Sequence, residues 1–282
     1  MGIVIRGNPL TGGVFRDKPL IGAIYQGQDL FTAGEFVIYV TEFWDDKLHV
    51  WDGETLTTLV TDPDESGPIG EAIGSYFADV DDDGNVYFAH TSGKVYRWDG
   101  SSLTAVITGL ATCNGVAVDN VNGYVYATAG NNIVRWNGSA TATVLTDLES
   151  PRGLAFNPST GDLFIALSAA DKVVRWNGST ITDAVTDLIA PLDVAVDPGR
   201  GNIWATSVTG RIYRWDGSDL DLIIPDTNGA YGISVDRRSG AAYIALDGDK
   251  VVRWDGGASA TDVITTGIDR PLGVAVTYRR PE

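Results

Sequence analysis

Basic residues are scarce in this chain. Its 282 residues hold 20 Lys and Arg against 37 Asp and Glu, a formal net charge of −17. Such a surface repels phosphate backbones and anionic lipid, so nucleic acid and membrane surfaces make poor partners. Cysteine is almost missing: Cys113 stands alone, so no intrachain disulfide can form and the redox compartment cannot be read. Long apolar runs are missing too; nothing approaches the ~18 residues of a membrane-spanning helix. The opening stretch from Met1 to Gly7 lacks the basic and apolar regions of a secretory signal. Met1-Gly2 begins like a myristoylation site, but Arg6 stands where Ser or Thr is required. No phosphate-binding loop, dinucleotide fingerprint, His-Glu-x-x-His or Gly-x-Ser-x-Gly is present.

What is present is repetition. Six short phrases end in Trp-Asp-Gly or Trp-Asn-Gly, at Trp51, Trp98, Trp136, Trp176, Trp215 and Trp254, with steps of 47, 38, 40, 39 and 39 residues. A period near 40 with strand-like flanks marks a propeller blade. Each period resolves into four short strands. The first is rich in Gly, Ala and Val (77–80, 115–119, 153–157, 193–197, 232–236, 273–277), the second in aromatic and β-branched residues, and the third ends in Trp. Asp-Gly or Asn-Gly then signals a tight hairpin into a fourth strand. The order is offset: the chain enters at a second strand near Phe36 and leaves on a first strand, 273–277. The C-terminal strand must therefore complete the first blade. The expected fold is all-β, a six-bladed propeller over 36–282 closed by a 1+3 blade, preceded by a short β-rich arm over 1–35. The tryptophans are expected in the gaps between blades. The arginines before five of them (Arg97, Arg135, Arg175, Arg214, Arg253) are expected to pair with Asp on the next blade.

The phrases Pro151-Arg152-Gly153-Leu154-Ala155-Phe156, Pro191-Leu192-Asp193-Val194-Ala195-Val196-Asp197 and Pro271-Leu272-Gly273-Val274-Ala275-Val276 resemble the NHL-repeat family of six-bladed propellers over roughly 36–277. They speak to fold and say little of activity. The Trp-Asp pairs are shared with WD repeats, but those carry Gly-His before each pair, and neither His49 nor His90 follows Gly. In the arm, Ala23-Ile24-Tyr25-Gln26-Gly27-Gln28-Asp29-Leu30-Phe31 resembles the N-terminal attachment segments of minor tail and other virion proteins of actinobacterial tailed phages.

Candidate chemistry is sparse. The resemblance to six-bladed lactonases implies a divalent cation on the axis, held by carboxylates and Asn. The central-funnel candidates are Glu71, Asn114, Arg152, Asp193, Tyr231 and Arg270; Arg152 and Arg270 oppose a metal there. Asp79, Asp81 and Asp83 match the start of a calcium loop, but His90 occupies the place of its bidentate Glu; an acidic hairpin turn is the plainer reading. Asn137-Gly138-Ser139 and Asn177-Gly178-Ser179 read as turns, not glycan acceptors. A Cys113/His90 nucleophilic pair is weighed against a buried filler thiol. The expectation is a non-enzyme with no cofactor: a structural and binding protein of a tailed-phage virion. The arm (Ile3, Val4, Ile5, Ile24, Tyr25, Leu30, Phe31) would dock on other virion proteins. The propeller would face a host-surface glycan or protein, and a homo-oligomer is possible. The alternatives are a metal-dependent lactonase-type hydrolase and a bacterial NHL-repeat interaction module, which would be cytoplasmic.

Overall fold

The computed structural model describes residues 4–5, 8–9, 24–25, 28–29, 35–42, 47–61, 75–225, 227 and 229–279. It is a six-bladed β-propeller, with six four-stranded antiparallel sheets. Blade 2 runs Ser75–Val80, Val86–His90, Lys94–Trp98, Leu103–Ile107 from axis to rim. Blades 3 to 6 repeat that order, with inner strands Val116–Asp119, Pro151–Asn157, Pro191–Asp197 and Ala230–Val235. Blade 1 is built from both ends of the described ring. Pro271–Arg279 pairs antiparallel with Glu35–Glu42, followed outward by Lys47–Trp51 and Leu56–Thr61. The offset strand count expected this closure. A ladder across the seam removes the two open edges that a linear array of blades would leave. The only helical turn among the described residues is Ser168–Ala170, and no helix is long and apolar enough to cross a membrane.

The core lies in the gaps between blades rather than at one centre. Six apolar clusters fill them, and each blade's third-strand Trp belongs to the gap it shares with the preceding blade. Trp98 packs against the blade 1–2 cluster and Trp136 against the blade 2–3 cluster. Trp176 belongs to the blade 3–4 cluster and Trp254 to the blade 5–6 cluster, while Trp215 and Trp51 close the other two gaps. Trp204, on the second strand of blade 5, is 1% exposed and meets Trp254 edge-on at 5.2 Å between centroids. Each large ring therefore glues one blade to its neighbour, a contact worth several kcal/mol.

The arginines before the tryptophans pair differently from the expectation. Arg175, Arg214 and Arg253 meet Asp162, Asp221 and Asp255 at 2.8, 2.6 and 2.7 Å, all within their own blades. Arg97 lies 4.0 Å from Asp99, and Arg135 stacks over the Tyr124 ring at 4.4 Å. Strand geometry explains the difference. Arg214 stands directly opposite Asp221 in the ladder, so a cross-strand partner is nearer than anything on the next blade.

Near the axis the wall is built of small residues because neighbouring backbones touch. A Cβ on Gly115 would fall 2.1 Å from the Arg152 carbonyl oxygen. One on Gly232 would fall 2.4 Å from the Leu272 carbonyl oxygen. One on Gly153 would meet Asp193 Oδ1 at 2.0 Å and its Cα at 2.5 Å. At these three glycines there is no room for a methyl group.

Candidate functional site

The central channel holds a cavity of about 380 Å³ walled by inner strands of all six blades. Two faces frame it. Inner strands start at the entry face, at Pro151, Pro191 and Pro271, and end at the turn face, at Asn157, Asp197 and Arg279. The cavity wall is apolar at Val116, Leu154, Ala155, Val196 and Val276; its polar groups include Asp79, Asp193 and Ser234 within the wall and a charged cluster of Asp82, Asp236, Arg237 and Arg238.

Two carboxylates stand in that wall. Asp193 is 5% exposed; its Oδ1 accepts from Val194 N at 2.9 Å and its Oδ2 from Ile233 N, on blade 6, at 2.9 Å. Asp79, on blade 2, does the same: it accepts from Val80 N at 2.8 Å and from Val118 N, on blade 3, at 2.8 Å. Ser234 continues the pattern by accepting from Val276 N at 3.2 Å, from blade 6 to blade 1. These side chains stitch one blade to the next. Desolvation pushes Asp193 up to about 8 against its backbone donors, with the charge of Asp79 adding to it. Asp79 is raised as well, chiefly by desolvation, and held back by the Val118 hydrogen bond and by Arg237.

The turn-face mouth carries the opposite chemistry. Arg238 sits 3.5 Å over the Tyr278 ring, whose hydroxyl donates to Asp236 Oδ2 at 3.0 Å. Burial and the Asp236 charge push that phenol up to about 12. Arg237 reaches Asp82 at 3.9 Å. The sequence reading missed this group, because its members lie on a turn and on the closing strand. Arg237-Arg238 where blade 5 has Pro198-Gly199 is the signal that could have found it.

The funnel candidates do not share one ring. By register Pro151, Pro191 and Pro271 are equivalent, so Gly153, Asp193 and Gly273 share a layer. Arg152 precedes that layer by one residue, and Arg270 by three. Arg270 has φ 45°, its N–H donates to Asp249 Oδ1 at 2.9 Å, and its guanidinium reaches the Tyr231 hydroxyl at 3.5 Å. Asn114 and Tyr231 lie on the entry side of the glycine layer: Asn114 O accepts from Phe77 N at 3.2 Å, and Tyr231 O accepts from Thr206 Oγ1. Glu71 lies outside the described residues.

The acidic run 79–83 divides in the same way. Asp79 faces the channel. Asp81 builds the turn, with Oδ1 accepting from Asp83 N and Asn85 N at 3.0 and 2.8 Å and Oδ2 from Asn85 Nδ2 at 2.7 Å. Asp83 lies exposed on that turn. Among the described residues no three His, Cys, Asp or Glu side chains gather as a metal group. Cys113 is fully buried, and desolvation pushes its thiol to about 12, so no thiolate forms there near neutral pH. His90 Nδ1 is taken up by Ser92 Oγ at 2.6 Å. Of the arm residues, Val4, Ile5, Ile24 and Tyr25 lie in two short strands, while Ile3, Leu30 and Phe31 lie outside the described residues.

Comparison with known proteins places the fold and no more. No protein-family model matches the chain, and no curated protein does. Solved structures do. The nidogen/laminin complex offers a chain at 15% identity and TM-score 0.74, covering 87% of this chain and 100% of that one. Streptogramin B lyase is similar at 14% identity and TM-score 0.58, covering 87% and 89%. A gluconolactonase from Xanthomonas campestris is similar at 18% identity and TM-score 0.59, covering 71% and 82%. One propeller is thus shared by a component of a binding complex and by enzymes, and function has to be argued from the site.

Proposed function

We propose that this chain is a non-enzymatic structural and binding component of a tailed-phage virion. Residues 1–34 anchor it to other virion proteins, and the propeller presents a binding surface. The observation that carries this reading is where the arm joins the ring. Glu35 pairs with Arg279, at the turn-face end of the blade 1 seam beside Tyr278. An anchored arm therefore holds the turn face toward the particle and turns the entry face outward. That face carries the exposed apolar side chains Ile189 (39%) and Val208 (54%), brought together by the bond from Val208 N to Ala190 O. Exposed apolar groups on the face that also carries Arg152 and Arg270 suit a protein or glycan partner. The axial carboxylates support the same reading, because both oxygens of each already accept backbone N–H groups and serve the ring itself. The arm phrase that resembles phage attachment segments adds the virion.

The test is deletion of residues 1–34. The truncated chain stays folded with its β-sheet spectrum intact, and is missing from virions purified from the genome that encodes it. A truncated chain still found at full copy number overturns the anchor. The shared fold with a gluconolactonase keeps one second reading in view, a metal-dependent lactonase-type hydrolase. The described axial residues do not fit it, since Asp193 is already engaged and the arginines stand near. Elemental analysis finding one tightly held divalent ion, together with lactone hydrolysis, would decide for it.

A further inference from the structure

The arm repeats itself. Val4-Ile5-Arg6-Gly7-Asn8-Pro9-Leu10, Val14-Phe15-Arg16-Asp17-Lys18-Pro19-Leu20 and Ile24-Tyr25-Gln26-Gly27-Gln28-Asp29-Leu30 align at a period of ten residues without a gap. Each unit has two apolar residues, the second aromatic in two of three, then a two-residue turn pair, then a polar residue, Pro or Asp, and Leu. The described backbone repeats at twice that period. Val4–Ile5 pairs with Asn8–Pro9 in the register Val4↔Pro9 and Ile5↔Asn8. Twenty residues on, Ile24–Tyr25 pairs with Gln28–Asp29 in the same register, Ile24↔Asp29 and Tyr25↔Gln28. Both leave two residues between the strands, with Gly second, as a tight hairpin prefers. Charge sets the arm apart as well: residues 1–34 hold Arg6, Arg16 and Lys18 against Asp17 and Asp29, so the whole acidic excess belongs to the rest of the chain.

We propose that the arm is a trivalent ligand. Its three ten-residue units, 3–12, 13–22 and 23–32, alike in sequence, each fit the same apolar cleft on a partner built from repeated identical subunits. The inference rests on the anchor reading above and deepens it. The hairpins at Val4–Pro9 and Ile24–Asp29 bury too little to be stable alone, so a partner has to hold them. One such contact is weak. Three copies of one recognition unit in tandem gain avidity only against a target that repeats its site. Chain length limits the spacing: from Pro9 to Ile24 the backbone spans at most about 50 Å, so the clefts filled by the first and third units lie within that distance. Adjacent subunits of a protein ring or tube meet this condition. The near-neutral, slightly basic arm reaches such a surface without the repulsion that the acidic propeller would bring.

The experiment uses full chains lacking 3–12, 13–22 or 23–32, any two of these, or all three, with copies per purified virion counted by quantitative mass spectrometry after dilution and washing. Circular dichroism confirms that each variant keeps its propeller. Each single deletion is expected to lower retained copies by a similar factor, about ten-fold or more, whichever unit is removed, and double deletions lower them further. A chain carrying the third unit's sequence in all three places retains the wild-type number. One unit that carries the whole loss, or failure of the triplicated chain, overturns the inference and leaves the anchor standing. Wild-type chain absent from the virion overturns both. Sedimentation showing that the full chain self-associates, and that the chain lacking 1–34 does not, also overturns it, because the units would then be meeting their own kind.

Discussion

Blade 5 holds two aspartates that accept hydrogen bonds in nearly the same way and respond to pH in opposite senses. Asp193, on the inner strand, takes the N–H groups of Val194 and Ile233. Asp216, in the rim hairpin, takes those of Ser218 and Asp219 at 2.9 Å each, with the Ser218 hydroxyl at 2.9 Å. At the rim, water supports the charge and the donors hold the carboxyl down to about 2. At the axis, water is excluded, desolvation outweighs two good donors, and the carboxyl rises to about 8. The lesson is that hydrogen-bond partners alone do not fix a carboxylate's state; the solvent lost on burial decides. The axis is stitched at a cost that the rim does not bear.

The comparison can be broken most severely at the seam. Removing residues 271–282 takes away the inner strand of blade 1 and exposes the edge of Glu35–Glu42. The truncated chain is expected to aggregate or lose cooperative melting; a monomer with unchanged melting would refute closure as the source of stability. Next comes Gly153→Val, which drives side-chain atoms into Asp193. A loss of about 3 kcal/mol or more is expected by denaturant titration, since backbone must move on both blades. Gly257→Val, at a rim-turn glycine whose added Cβ would meet nothing closer than 3.6 Å and whose φ lies outside the left-handed region, controls for the packing part of that loss.

A smaller and more diagnostic effect comes from Asp193→Gly, which gives blade 5 the residue that blades 1, 3, 4 and 6 carry in this layer. A carboxyl held above its unfolded value binds its proton more tightly in the folded state. Its contribution therefore favours folding at low pH and is lost as pH rises from about 4 to about 8. The slope is at most ~1.4 kcal/mol per pH unit across that window. Melting temperature measured from pH 4.5 to 8.5 should fall less steeply in the variant than in the wild type; parallel curves would show that Asp193 does not titrate there. The smallest effect belongs to Asp216→Ala. A lowered carboxyl contributes above about pH 4 and loses that contribution as pH falls toward 2, so wild type and variant should differ slightly at pH 7 and converge in acid.

Most of the ring was legible because its signals are local. Trp-Asp-Gly and Trp-Asn-Gly fix the third strand and its hairpin, and the strand count fixes the seam. The axis was less legible because it depends on register between blades. Arg152, Asp193 and Arg270 stand near the starts of first strands in sequence, yet the prolines show that they occupy three different levels. The partners of Arg175 and Arg214 were missed for a similar reason: period-2 alternation tells which face a side chain takes, while the cross-strand ladder decides what it meets there. Asp79 was visible as part of an acidic run, but only the fold separates it from Asp81 and Asp83. The arm's ten-residue period was equally available in the sequence; two matching hairpin registers bring it forward.

The seam also sets an order of events during synthesis. Blades 2 to 6 consist of consecutive residues and can assemble as they leave the ribosome, whereas Glu35–Glu42, among the first strands made, must wait for Pro271–Arg279, among the last. Until Pro271–Arg279 has been made, Glu35–Glu42 keeps one edge open while its other edge is already paired with Lys47–Trp51. Capture by a neighbouring nascent chain, swapping one closing strand for another, is the characteristic accident of such a design, and slow synthesis of the stretch that holds Pro271–Arg279 would make it more frequent.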